Sequence, residues 1–156
     1  MGGGLVMAEI HKSTTVAAPV DKVFEIVDDP ANFPKYVPNV QDVVDVHRSP
    51  GRIGDSFRVI YKVLGVTFDE KFTVTDHERH NRIKSTFSGG MTGTFAWAFE
   101  PLGEGSKISI DIDYQLAGGP LGKAVDSLML QRVNEKTIED TLQNLARVAT
   151  AERSAV

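Results

Sequence analysis

The chain contains no cysteine. That excludes a disulfide framework, a thiolate metal site and a cysteine nucleophile, and it points to the reducing environment of the cytoplasm. No apolar run approaches the ~18 residues of a membrane span, so no integral membrane segment is expected. Basic charge is also short: Lys and Arg number 17 against 21 Asp and Glu, a formal net charge of −4. Nucleic acid is a poor partner for such a chain, because neutralising phosphates takes a clustered basic face. The nearest approach to one, His77 to Arg82, is mixed with Glu78 and Asn81 and reads as a solvated turn.

Catalytic apparatus is scarce as well. None of His11, His47, His77 and His80 makes a His-x-x-x-His pair on a helix, so all four read as surface residues and no metal is expected. Gly89-Gly90-Met91-Thr92-Gly93 lacks the lysine and the following helix of a phosphate loop. No Gly-x-Ser-x-Gly elbow occurs, and nothing calls for a cofactor. Residues 1–6 have neither the basic region nor the apolar core of a signal peptide, and Val6 stands where a myristoylation motif needs Ser or Thr. They read as a flexible leader, with Met1 and Met7 both open as the natural start.

What is present suits one domain. At 156 residues, 41% hydrophobic and 24% charged, the chain can bury roughly two-thirds of its unfolded surface. It shows no internal repeat. Ile10 to Val16 alternates as a strand. Pro19 then opens a helix in which Val20, Val23, Phe24 and Val27 recur at helical spacing, and Asp28-Asp29-Pro30 closes it. A second short helical turn packs Phe33 and Tyr36 inward. Six strands follow: Val40 to His47, Phe57 to Leu64, Val66 to Thr75, Arg82 to Ser88, Thr92 to Glu100 and Lys107 to Leu116. Short turns between them predict antiparallel neighbours.

Gly118-Gly119-Pro120 ends the sheet, and Leu121 to about Ala149 reads as one long helix. Val125, Leu128, Met129, Val133, Ile138, Leu142, Leu145 and Ala149 form its apolar stripe. The expected architecture is α+β: a seven-stranded curved antiparallel sheet wrapped around a long C-terminal helix, with two short helices between strands 1 and 2. Residues 7–150 make this single domain, and 151–156 a disordered tail.

The run Ser13 to Pro30, the segment Phe33-Pro34-Lys35-Tyr36-Val37-Pro38 and the Gly118-Gly119-Pro120-Leu121 break resemble the START-like, Bet v 1-like helix-grip (SRPBCC) superfamily. The likeness spans Met7 to about Ala149 and is closest to the bacterial polyketide cyclase/dehydrase and lipid-transport group. It implies the helix-grip fold. Function varies within that superfamily, among ligand carriers, ring-closing enzymes, receptors and regulators, so the fold does not select among them.

Strand parity nominates the site, since side chains alternate between faces. Glu70 shares its parity with Val66, Phe68, Phe72 and Val74. A carboxylate among phenylalanines has a raised pKa and is a candidate general acid or base. The plainer alternatives are a register break, a place at the rim, or neutralisation by Tyr61 or Arg58 across the hairpin. Tyr61 shares a face with Phe57, Val59 and Val63, and can offer a hydroxyl to a ligand or to Glu70. Ser85 lies with Ile83 and Phe87. In strand 6 either Phe95, Trp97 and Phe99 or the small row Thr94, Ala96 and Ala98 faces inward. Asp111 and Asp113 point to solvent, opposite the apolar face that includes Tyr114. Met91 in its glycine-flanked loop, with Met129 and Leu130 on the terminal helix, offers a pliable lid or, more simply, ordinary gap-filling.

Three readings follow. The first is a carrier or sensor of a small hydrophobic molecule (a lipid, polyketide or similar metabolite), held by Phe57, Val59, Phe68, Phe72, Ser85, Phe87, Met91, Trp97, Tyr114, Met129 and Val133. The second, implied by the resemblance, is a cofactor-independent cyclase or dehydratase in which Glu70 and Tyr61 move protons. The third is a regulator acting through a protein partner. The domain buries its core unaided, so a monomer and a weak homodimer both fit.

Overall fold

The computed structural model describes residues 7–116 and 126–154. One seven-stranded sheet, antiparallel throughout, has the order β1-β7-β6-β5-β4-β3-β2. Its strands are β1 (Met7–Val16), β2 (Val40–His47), β3 (Ser56–Val63), β4 (Val66–Glu78), β5 (Arg82–Ser88), β6 (Met91–Leu102) and β7 (Gly105–Leu116). Two short helices, α1 (Val20–Asp28) and α2 (Phe33–Tyr36), connect β1 to β2 across a 3-10 turn at Pro30–Asn32, and the long helix α3 spans Ser127–Ser154. This is the helix-grip architecture that the pattern of elements predicts. Strands β2 to β7 pair in chain order, whereas β1 returns to pair with β7. The leader, the Gly118-Gly119-Pro120 break and a helix start at Leu121 lie outside the described residues. At the other end α3 continues to Ser154, through most of the stretch expected to be a disordered tail.

Local chemistry explains the helices. The Pro19 carbonyl accepts the first bonds of α1, from the Lys22 and Val23 amides, and proline suits a helix start because it has no amide to leave unpaired. The helix buries Val23, Phe24, Ile26 and Val27, with Phe24 edge-on to Phe99 at 5.0 Å. Asp126 caps α3: its carboxylate accepts the Met129 amide at 3.0 Å, and its carbonyl accepts from Leu130 at 2.8 Å. The helix buries Leu130, Ile138, Leu142, Leu145 and Ala149 against the sheet. Leu128 and Met129, expected in that stripe, are 68% and 53% exposed. Their positions fall off the 3.6-residue phase set by Leu130 and Ile138.

A second correction concerns His77. The pairing of β4 with β5 slips between Val74 and Asp76, and an extra residue in one strand reverses the facing of those after it. His77 thereby turns inward, its side chain 10% exposed, with Nε2 2.8 Å from Asp28 Oδ1 and its ring edge-on to Phe24 at 5.4 Å. It is a tie between β4 and α1 rather than a surface residue. His80 is half-buried against the same Phe24 ring.

Replacing Leu145, which is fully buried, by alanine is expected to lower stability by about 2–5 kcal/mol. Gln143→Ala, on the exposed side of the same helix, should change it by less than about 0.5 kcal/mol. Urea unfolding of the two variants measures both.

Candidate functional site

The inner face of the sheet carries side chains in rows fixed by register. Tyr114, Gly93, Phe87, Phe72 and Phe57 stand opposite one another across five strands, and Ile112, Phe95 and Ser85 form the row beside them. Gly93 contributes no side chain and leaves a gap between two rings. A Cβ there would collide with the Asp113 carbonyl oxygen. Opposite these rows α3 presents the short side chains Asn134, Thr137 and Thr141. Sheet and helix therefore stand apart, leaving a cavity of about 140 Å³. Its wall reaches the surface at Pro38, Asn39 and Val40, where Asn39 takes a left-handed backbone (φ 65°) that asparagine tolerates.

Of the residues nominated from strand parity, Val59, Tyr61, Phe72 and Ser85 line this cavity, as do Phe87, Met91, Trp97 and Tyr114. The aromatic row of β6 is thus the inward one: Phe95 and Trp97 face the cavity and Trp97 stacks on Phe99. Five nominated residues stand outside the wall, Glu70 among them. Phe57 is buried beside Phe72, stacked on it at 5.4 Å, and Phe68 is wholly buried beside Tyr61 at the same separation. Val133 packs half-buried against the core, and Met129 faces solvent, so no Met91–Met129 lid forms. Sequence reasoning missed Phe33, the Val37–Val40 segment and the polar residues of α3. A signal for the last existed, since Asn134, Thr137 and Thr141 lie on the helical phase of Leu130 and Ile138.

Glu70 points inward as its parity predicts, and it is fully buried. It does not reach the cavity. Neither of the expected partners neutralises it: Arg58 binds Asp69 at 3.0 Å and Asp45 at 2.6 Å, and Tyr61 makes no hydrogen bond to it. Its partners are instead two backbone amides of the β5–β6 turn. Met91 N–H donates to Oε1 at 3.1 Å and to Oε2 at 3.3 Å, and Gly90 N–H donates as well. A Cβ on Gly89 would lie 2.5 Å from Glu70 Oε1, so glycine is what lets the turn close over the carboxylate. Burial pushes the Glu70 carboxyl up to about 7, against the pull of the two amides in the other direction.

The polar groups on the cavity wall are tyrosine hydroxyls, one serine, threonines and asparagines. Burial, and then the Glu70 charge, raise the Tyr61 hydroxyl well above its ordinary range. Tyr114 is raised by burial too, although an Asn134 hydrogen bond opposes the shift. Both phenols therefore stay protonated near neutrality and act as hydrogen-bond donors rather than bases. The described residues contain no group of three or more His, Cys, Asp or Glu side chains placed to hold a metal ion, and no helix among them is long and apolar enough to cross a membrane.

The family model for polyketide cyclase / dehydrase and lipid transport matches residues 7–150. The chain belongs to that family. Its members' fold recurs in solved structures. An aromatase/cyclase, Zhui, from a Streptomyces species superimposes with a TM-score of 0.79 at 20% identity, covering 93% of this chain and 94% of that one. A START superfamily protein from Mycobacterium smegmatis gives 0.77 at 17% identity, with 95% and 99% covered. Ginseng major latex-like protein 151 from Panax ginseng gives 0.69 at 16%, with 94% and 99% covered. No curated protein matches the sequence.

The raised Glu70 carboxyl predicts a pH dependence. A carboxyl with a folded pKa of about 7, against 4.5 when unperturbed, favours the fold in its protonated form. Its contribution is full below about pH 4.5 and is lost as pH rises through 7, a decline on the order of 3 kcal/mol. Glu70→Gln should remove that decline when urea unfolding is compared at pH 5 and pH 8. An equal decline in the variant would assign it to other groups.

Proposed function

We propose that this family member binds a small hydrophobic molecule in the cavity between sheet and α3 and acts as a carrier or sensor. The observation that carries the reading is the composition of the wall: aromatic and aliphatic side chains with a few hydroxyls and amides, and no Asp, Glu, Lys, Arg or His among the described lining residues. Binding pockets have this character, with apolar surface supplying affinity and a few polar groups fixing orientation. The room available suits a ligand of one ring, since a dry cavity of about 150 Å³ admits benzene. A larger ligand would extend past Pro38 and Asn39.

The alternative is catalysis of the cyclase or dehydratase kind, favoured by the family description and by the likeness to an aromatase/cyclase. A general acid or base must come within hydrogen-bond reach of the reacting group. Glu70 is held by the turn amides behind the wall, and Tyr61 is held in its protonated form. Both facts favour binding without chemistry.

Native mass spectrometry of freshly purified protein, then denaturation to weigh what is released, tests the reading. A stoichiometric hydrophobic compound, released unchanged, is the expected result. A bare mass together with no thermal shift across a lipid and polyketide library would end the carrier reading, and conversion of the bound compound would replace it with the catalytic one. Thr137→Trp, at a half-buried position on the wall, should fill the cavity. Ligand affinity is then expected to fall at least tenfold, or about 1.4 kcal/mol, with the far-UV circular dichroism unchanged.

A further inference from the structure

Granted that binding reading, the wall also has a preference in ligand charge. No Lys, Arg or His stands among the described lining residues, and the ionisable groups that act on the cavity's tyrosines are acidic. Glu70 lies fully buried behind Met91 and raises the Tyr61 hydroxyl, while Glu135 on α3 raises Tyr114. The hydrogen-bonding groups are neutral. Asn134 interacts with the Tyr114 hydroxyl and donates its amide N–H to Met91 Sδ at 3.9 Å. Thr141 donates its hydroxyl to the Thr137 carbonyl at 2.7 Å and is not available. Tyr61 and Tyr114 line the same cavity.

We propose that the cavity selects neutral ligands bearing a hydroxyl or carbonyl group, such as phenols, alcohols and ketones, over the corresponding carboxylates, with Tyr114 and Tyr61 binding the ligand's oxygen. A carboxylate entering the wall would lose its hydration without gaining a cation. It would also face the Glu70 charge through a medium less polarisable than water, where like charges repel more strongly. A carbonyl or hydroxyl oxygen meets neither obstacle and accepts the tyrosine protons.

Isothermal titration of the whole chain with three one-ring probes, 4-methylphenol, 4-methylbenzoate and toluene, at pH 8 and low salt, is the test. At that pH Glu70 and the benzoate are ionised while the phenol is neutral. The phenol should bind at least tenfold more tightly than the benzoate and more tightly than toluene. Tyr114→Phe should shrink the preference for the phenol over toluene severalfold. Equal or tighter binding of the benzoate overturns the selectivity while leaving the binding reading in place. A phenol preference untouched by both Tyr114→Phe and Tyr61→Phe overturns the assignment of those hydroxyls. Failure of all three compounds to bind overturns the binding reading, and the selectivity with it.

Discussion

The concave face of the sheet has one long cover, α3, and the rest of the molecule follows from how well that cover fits. Where the helix presents Leu142, Leu145 and Ala149, these join Val23, Phe24 and Phe99 in a closed core. Where it presents Asn134, Thr137 and Thr141, the side chains are too short to fill the space above Phe87, Phe95 and Trp97. One interface thus yields a packed core along part of its length and a cavity along the rest. The helix is tied beyond its stripe by Asn144, whose amide donates to the Tyr36 carbonyl at 3.1 Å. That bond links α3 to α2, next to the segment where the cavity wall reaches the surface.

Glu70 occupies the point where stability and the site meet. It shares a row with Val59 on β3, and its carboxylate satisfies the amides of Gly90 and Met91, which would otherwise be buried without partners. Met91 carries the cavity wall, so the carboxylate holds one side of that wall in place. The arrangement keeps a charge away from water with no cation beside it, which is the cause of its raised pKa. Perturbed carboxyls are commonly read as catalytic, yet structural networks perturb them as well. Here the oxygens face backbone amides rather than open space, and geometry decides between the two roles.

Much of the fold is legible in the residues because its signals are local. Alternation with period 2 delimits β5 at Arg82 and Ser88 and β2 at Val40 and His47, where the structure has them. It also aims Tyr61, Ser85, Phe87 and Tyr114 toward the cavity they line. The same alternation misplaces His77, since one slipped residue after Val74 reverses the faces that follow. Leu128 and Met129 depart from the expected stripe for a related reason: a stripe counted on composition ignores phase, and their phase turns them to solvent.

The sequence by itself determined the order of elements, the inward parity of most strands, the presence of a long terminal helix and the lack of cysteine chemistry. These depend on side-chain type and on spacings of a few residues. Only the tertiary structure decided that β1 closes against β7, that the aromatic row of β6 faces inward, that Glu70 serves a turn 21 residues away and that a cavity exists at all. A cavity is the mismatch between two surfaces brought together from distant parts of the chain. No stretch of sequence contains both of them.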